Sequence, residues 1–312
     1  MYKCNSSHLN SVFAPGCFGG QLMAQALNTA IKTTSSDYRV SSQTSAFLGP
    51  ALLGKDVYFK AATVRESGKT FLTKRVRAYQ LEDGDCPVKD LASKPLLFES
   101  TVSFYRTPKA STKVGWNPPD SSTPAATLSE SDTLSNLKSK IKTKLVARGP
   151  LYKIALGMAA AMSEPDMLME VRVPWKVAGD EANTGRSKYL VGVPPEMGAN
   201  TRIVLPYVSD GMTQVLAVCD PFDSVWDVWP SKITVWNYGV WFERNGKEDG
   251  VEDWELFDGK RWFVVEYVIG GAEGGLLNGR NRIWDYKPGG GGKLLSNSSF
   301  QCLMVPGRPK AS

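Results

Sequence analysis

The chain has 312 residues, 42% of them apolar and 22% charged, a balance that supplies ample material for a core and excludes a disordered tail. Its net charge of +6, from 37 basic and 31 acidic residues, does not require nucleic acid as a partner. The single histidine, His8, argues against Ser-His-Asp, Cys-His and multi-histidine metal chemistry, so neither a metal nor another cofactor is expected. Five cysteines, at 4, 17, 86, 219 and 302, contain no CxxC pair. With no apolar run near the ~18 residues of a membrane span and no secretory leader pattern, they predict a reduced, intracellular, cytoplasmic protein without a membrane span.

In chain order, residues 19–33 (GGQLMAQALNTAIKT) place Leu22, Met23, Ala26, Leu27, Ala30 and Ile31 at helical spacing behind the Gly19–Gly20 pair. Four segments with strand character follow: SAFLGPALL, DVYFKAATV (56–64), TFLTKRVRAYQ (70–80) and LFESTVSFY (97–105). RESGK between the second and third reads as a hairpin turn. From residue 108 to about 150 the chain turns to Ser, Thr, Pro and alternating lysines, a linker between an N-terminal half (1–107) and a C-terminal half (151–312). The second half repeats the pattern. MLMEVRVPW (167–175) reads as an opening strand and residues 201–216 as a helix; KITVWNYGVWFER, KRWFVVEYVI, NRIWDY and SSFQCLMV read as strands, with PGGGG as a hairpin loop. Helix then antiparallel strands, twice, gives an α+β fold with each sheet wrapped around one long helix.

Several motifs are decoys. Gly68-Lys69-Thr70 lacks the upstream glycine of a phosphate loop, because that position is Thr63. GGAEGG (270–275) and the glycines at 289–292 do not sit between a strand and a helix, so they read as turns or bulges. Cys17 has no histidine to activate it and reads as structural.

FGGQLMAQAL, SAFLGP, RESGKTFLTKRVRAYQ and FESTVSFY together resemble the first half of the acyl-CoA thioesterase II family, whose members are fused double hotdog domains. LPYVSDG resembles that family's second helix, WNYGVWFER its catalytic strand and SSFQCLMV its last strand. The resemblance implies a double hotdog forming an intramolecular pseudo-dimer, with the two sheets edge to edge, and a hydrolase of fatty acyl-CoA. In that family an aspartate, a threonine or serine and a glutamine of the second hotdog activate a water. It also leaves room for a homo-oligomer.

Carried over residue by residue, the family's aspartate falls on Asn237, its hydroxyl near Gly270 and its glutamine on Gln301, while Thr44 replaces a histidine of the first half. From Trp262 to Asn281 there is no Ser or Thr. An amide cannot take a proton from water, so the hydrolytic set looks incomplete. Only 17 residues precede FGG, fewer than the family usually has, which points to a missing edge strand or a reorganised head.

Six of the nine tryptophans (226, 229, 236, 241, 254 and 262) crowd the second half's helix-to-strand region, which suits either core filling or a reshaped apolar pocket. The expected function is therefore a thioesterase-like enzyme repurposed as a cyclase or pericyclase on a hydrophobic, polyketide- or terpenoid-like small molecule of secondary metabolism. Asn237, Gln301 and Tyr238 are its candidate catalytic hydrogen-bonding groups, and Phe18, Gly19, Gly20, Trp236, Trp241 and Gly270 its substrate-binding set. The alternatives are an acyl thioester hydrolase, with Glu243 or Glu266 as substitute acids, and a non-catalytic binding module.

Overall fold

The computed structural model describes residues 2–4, 19–52, 55–68, 70–81, 91–106, 170–172, 186–195, 201–210, 230–243, 259–273, 275–286 and 292–306. The chain divides into two units. The first comprises Met1–Gly115, Arg202–Tyr207 and Val235–Phe242, and the second Trp116–Thr201, Val208–Thr234 and Glu243–Ser312.

The first unit is built on helix α1 (Gly19–Lys32), followed by β2 (Tyr38–Phe47), β3 (Val57–Ser67), β4 (Phe71–Gln80) and β5 (Phe98–Arg106). Its strands lie in the order β1-β3-β4-β5-β2-β8, where β1 is Tyr2–Cys4 and β8 is Pro230–Phe242. The edge strand in doubt from the short head is present, as three residues antiparallel to β3. The helix runs where the apolar spacing predicts it. Leu22, Met23, Ala26, Leu27 and Ala30 are buried against Val76, Ala78, Phe98, Val102 and Phe104, which alternate inward along β4 and β5. Each large side chain so buried contributes about 1.5–3 kcal/mol.

A register shift between Val40 and Ser42 changes which β2 residues face the helix. Before it Tyr38 and Val40 are buried, and after it Gln43 and Ser45. The RESGK turn also forms as expected, with Gly68 at φ 57°, a left-handed conformation that a side chain resists.

Two pieces of the chain's second half take part in the first unit. Ser42 to Ala46 of β2 pair antiparallel with Trp241 to Asn237 of β8. The Arg202 guanidinium donates to the Val40 carbonyl at 2.6 Å, satisfying an acceptor beside the register shift.

The second unit contains β6 (Glu170–Arg172), β7 (Arg186–Val193), β9 (Arg261–Glu273), β10 (Leu276–Asp285) and β11 (Leu294–Pro306), in the order β11-β10-β9-β7-β6. Helix α2 spans Thr201–Ser209, with a turn at Asp210; the rest of the expected helix, residues 211–216, lies outside the described ones. Strand β7 was not anticipated. GGAEGG forms the end of β9 and the β9–β10 turn, with Gly275 at φ 82° and a bulge between Leu277 and Gly279. The expected PGGGG loop lies largely outside the described residues. Of the crowded tryptophans, Trp262 is buried with Leu190, Val264, Trp284 and Tyr286 in one apolar cluster. Its indole lies over Gly192, directly opposite on β7, where a Cβ would come within 2.9 Å of the ring.

Candidate active site

The polar interior of the second unit is organised by the end of α2. The Ser209 carbonyl, in the last turn of α2, accepts from Tyr267 Oη at 2.8 Å and from Asn281 Nδ2 at 3.1 Å. Tyr267, Asn281 and Ser298 are register partners across β9, β10 and β11, so they form one row, on the sheet face toward Ser209. The ring of Tyr267 is held edge-on by Tyr189 and Phe300, at centroid distances of 5.9 and 6.2 Å.

Alternation along β11 brings Ser296, Ser298, Phe300 and Cys302 to that face, all buried. The Phe300 ring covers Gly279, where a Cβ would overlap it. The hydroxyls of Ser296 and Ser298 have no hydrogen-bond partner among the described residues. Each such buried, unmade bond costs about 1–3 kcal/mol. Asp210 directly follows Ser209 and is the one buried carboxylate among the described residues. It lies close enough to Cys302 to act on it: burial first, and then the Asp210 charge, push the thiol up to about 12. Cys302 therefore stays a neutral thiol and is no nucleophile. No group of three or more His, Cys, Asp or Glu gathers at metal-binding distance among the described residues.

The residues singled out in the sequence lie elsewhere. Asn237, opposite Ala46, is exposed, whereas its neighbour Tyr238, opposite Ser45, is buried at 1% exposure. Trp236 and Trp241 are 57% and 49% exposed, and the Trp241 indole lies over Gly239. Gln301 is exposed and donates to Asn278 Oδ1 at 3.0 Å; being adjacent to Cys302 on a strand, it faces away from α2. Gly270 is exposed too, and a Cβ there would come within 3.1 Å of the Asn278 carbonyl, so Gly270 and Gln301 meet around Asn278. Gly19 and Gly20 form the first turn of α1, and Phe18 lies outside the described residues, as do His8 and Cys17. Glu243 accepts from Asn297 Nδ2 at 2.6 Å, and Glu266 is half-buried between inward-facing Val265 and Tyr267.

Residues 10–104 match the family model of the acyl-CoA thioesterase N-terminal domain. That segment is an acyl-CoA thioesterase N-terminal domain, and the fold of the chain is a double hotdog. Its fold is shared with acyl-CoA thioesterase II TesB2 from Mycobacterium marinum, at 18% identity and TM-score 0.58, covering 95% of this chain and 92% of that one. The tesB protein of Mycobacterium avium subspecies paratuberculosis is similar at 17% identity and TM-score 0.57, covering 93% and 88%. A hot dog fold protein of unknown function from Alicyclobacillus acidocaldarius matches at 16% identity and TM-score 0.57, covering 97% and 91%. No curated protein sequence matches the chain.

In this double hotdog frame, the region from Ser209 to Asp210 and the facing strands offer a carboxylate, a side-chain amide and a hydroxyl within one unit, on Asp210, Asn281 and Ser298. None of the three was a candidate from sequence. Asp210 is the penultimate residue of LPYVSDG, a stretch informative as a helix, and no spacing rule ties position 210 to 281 or 298.

Proposed function

We propose that this double hotdog protein acts on acyl thioesters and hydrolyses them with Asp210 as the general base. The observation that carries the reading is the buried Asp210 carboxylate beside a sheet face bearing the unpartnered Ser298 hydroxyl. In place of the amide of Asn237, Asp210 supplies a group able to accept a proton. It takes a proton from a water whose oxygen adds to the thioester carbonyl carbon. Collapse of the adduct breaks the C–S bond, and the proton passes to the departing thiolate. Ser298 and Asn281 orient the water and the carbonyl in a site that the Phe300 and Tyr267 rings keep dry.

The test is thiol release from medium- and long-chain acyl-CoA. The wild type releases thiol, and Asp210→Asn lowers kcat by about 10²–10⁴ with the fold intact. Equal rates in the two proteins would overturn the assignment.

The second reading is a non-hydrolytic cyclase or pericyclase on a hydrophobic, polyketide-like metabolite, with Asn237, Tyr238 and Gln301 as hydrogen-bonding groups. It is favoured by the amide at 237 and by the absence of Ser and Thr from 262 to 281. Its signature is a product of unchanged mass with no thiol released, lost in Asn237→Ala and retained in Asp210→Asn.

A further inference from the structure

Ser296 has no part in the proposed hydrolysis, yet it shares the unusual state of Ser298. It is fully buried at 0% exposure, and its hydroxyl has no partner among the described residues. Its register partner on β10 is Ile283, also at 0%, so the hydroxyl sits in an apolar setting that does not stabilise it. A serine so placed is worse than alanine for folding alone, since the unmade bond costs about 1–3 kcal/mol and the methylene gains little from burial. Two such hydroxyls, two residues apart on one strand face, form a line beginning beside Asn281 and running away from Cys302.

We infer that Ser296 selects acyl chains that carry an oxygen, as hydroxyl or ketone, part-way along an otherwise apolar chain. The inference rests on the thioester reading above and names its substrate class. With the thioester carbonyl at Ser298, Ser296 lies ~7 Å further along β11. That is about five carbon–carbon bonds of ~1.5 Å laid in a zigzag. Ile283 and its β9 partner Val265, both buried, accept the intervening methylenes, and the Ser296 hydroxyl makes with the chain oxygen the bond it lacks in the free protein. A plain fatty acyl chain leaves that hydroxyl as it is in the free protein, so discrimination arises from the bond that only the oxygenated chain adds.

The experiment compares 6-hydroxydecanoyl-CoA with decanoyl-CoA, as kcat/KM for thiol release and as binding of the two non-hydrolysable analogues in which nitrogen replaces the thioester sulfur. The wild type prefers the hydroxylated member about tenfold in both measurements, and Ser296→Ala reduces the preference to about one while leaving turnover of decanoyl-CoA unchanged or raised. Equal kcat/KM and equal binding in the wild type, as a resident water on Ser296 would give, overturn the inference while leaving hydrolysis standing. Absence of thiol release from either substrate overturns the hydrolase reading; the binding preference and its loss in Ser296→Ala then decide the oxygen selection independently. Ser296→Thr, which keeps the hydroxyl, retains the preference if it folds; equal loss in Ser296→Thr and Ser296→Ala points to packing and also overturns the inference.

Discussion

The polar interiors of the two units differ in whether their hydroxyls are used. In the first, Gln43 Nε2 donates to the Met23 carbonyl of α1 at 2.9 Å and to Ser100 Oγ at 3.1 Å, and Ser45 Oγ bonds Ser100 Oγ at 3.2 Å. In the second, Asn281 makes the same kind of bond to a helix carbonyl, but the Ser296 and Ser298 hydroxyls are unpartnered and a carboxylate is buried nearby. Both interiors use an amide to tie helix to sheet. Among the described residues only the second leaves buried serine hydroxyls without a partner, although in the first Gln43 Oε1 lacks one too; an unmade buried bond survives in a folded chain when something other than folding uses it.

The largest expected effect separates the two interiors by rate. Asp210→Asn lowers thiol release by about 10²–10⁴, whereas Ser45→Ala in the first unit leaves kcat within a factor of two, read in the same assay. Next in size is packing: Gly279→Ala drives a methyl into the Phe300 ring and destabilises by about 1–3 kcal/mol, read as a lower denaturant midpoint. A third pair sharpens the contrast itself. Ser100→Ala strips partners from Gln43 and Ser45 and costs about 1–2 kcal/mol, while Ser298→Ala loses no bond, leaves stability equal or higher and lowers turnover. If Ser298→Ala destabilises as much as Ser100→Ala, the two interiors are alike and the contrast fails.

How much of this was legible in the sequence follows from the type of signal. Helix α1 and strands β4 and β5 are buried on one face and exposed on the other, so their periods of 3.6 and 2 stand out. Strand β7 was missed because Tyr189, Leu190, Val191 and Val193 are all buried, leaving a short apolar run with no alternation to separate it from other structure. The site was hard for a different reason. Gln301 was reached through a motif, but strand parity turns it outward and brings Cys302 inward. Asn281 and Ser298 become neighbours only through the register of β10 and β11, and Asp210 comes to that face beside Cys302 only because it follows Ser209, which a linear pattern does not encode.

The smallest effect expected concerns Lys74, which belongs to the closed interior of the first unit. Its ammonium donates to the Thr33 carbonyl at 2.6 Å, just past the C-terminus of α1, where the helix dipole favours a cation. Burial nevertheless lowers its pKa below the ordinary lysine value, with the Glu66 charge opposing the shift. A lysine with a depressed folded pKa binds fewer protons folded than unfolded in the interval between that pKa and 10.5. Stability therefore rises with pH across that interval, and the full burial penalty applies below it. Lys74→Met should abolish this slope and lose the bond to Thr33. Denaturant midpoints of wild type and Lys74→Met at pH 8, 9 and 10 isolate the contribution, since other titrating groups cancel in the difference. A difference that is flat with pH would mean that Lys74 is as well solvated folded as unfolded. The first unit would then be more open to water than its hydrogen bonds imply, and the contrast with the second correspondingly weaker.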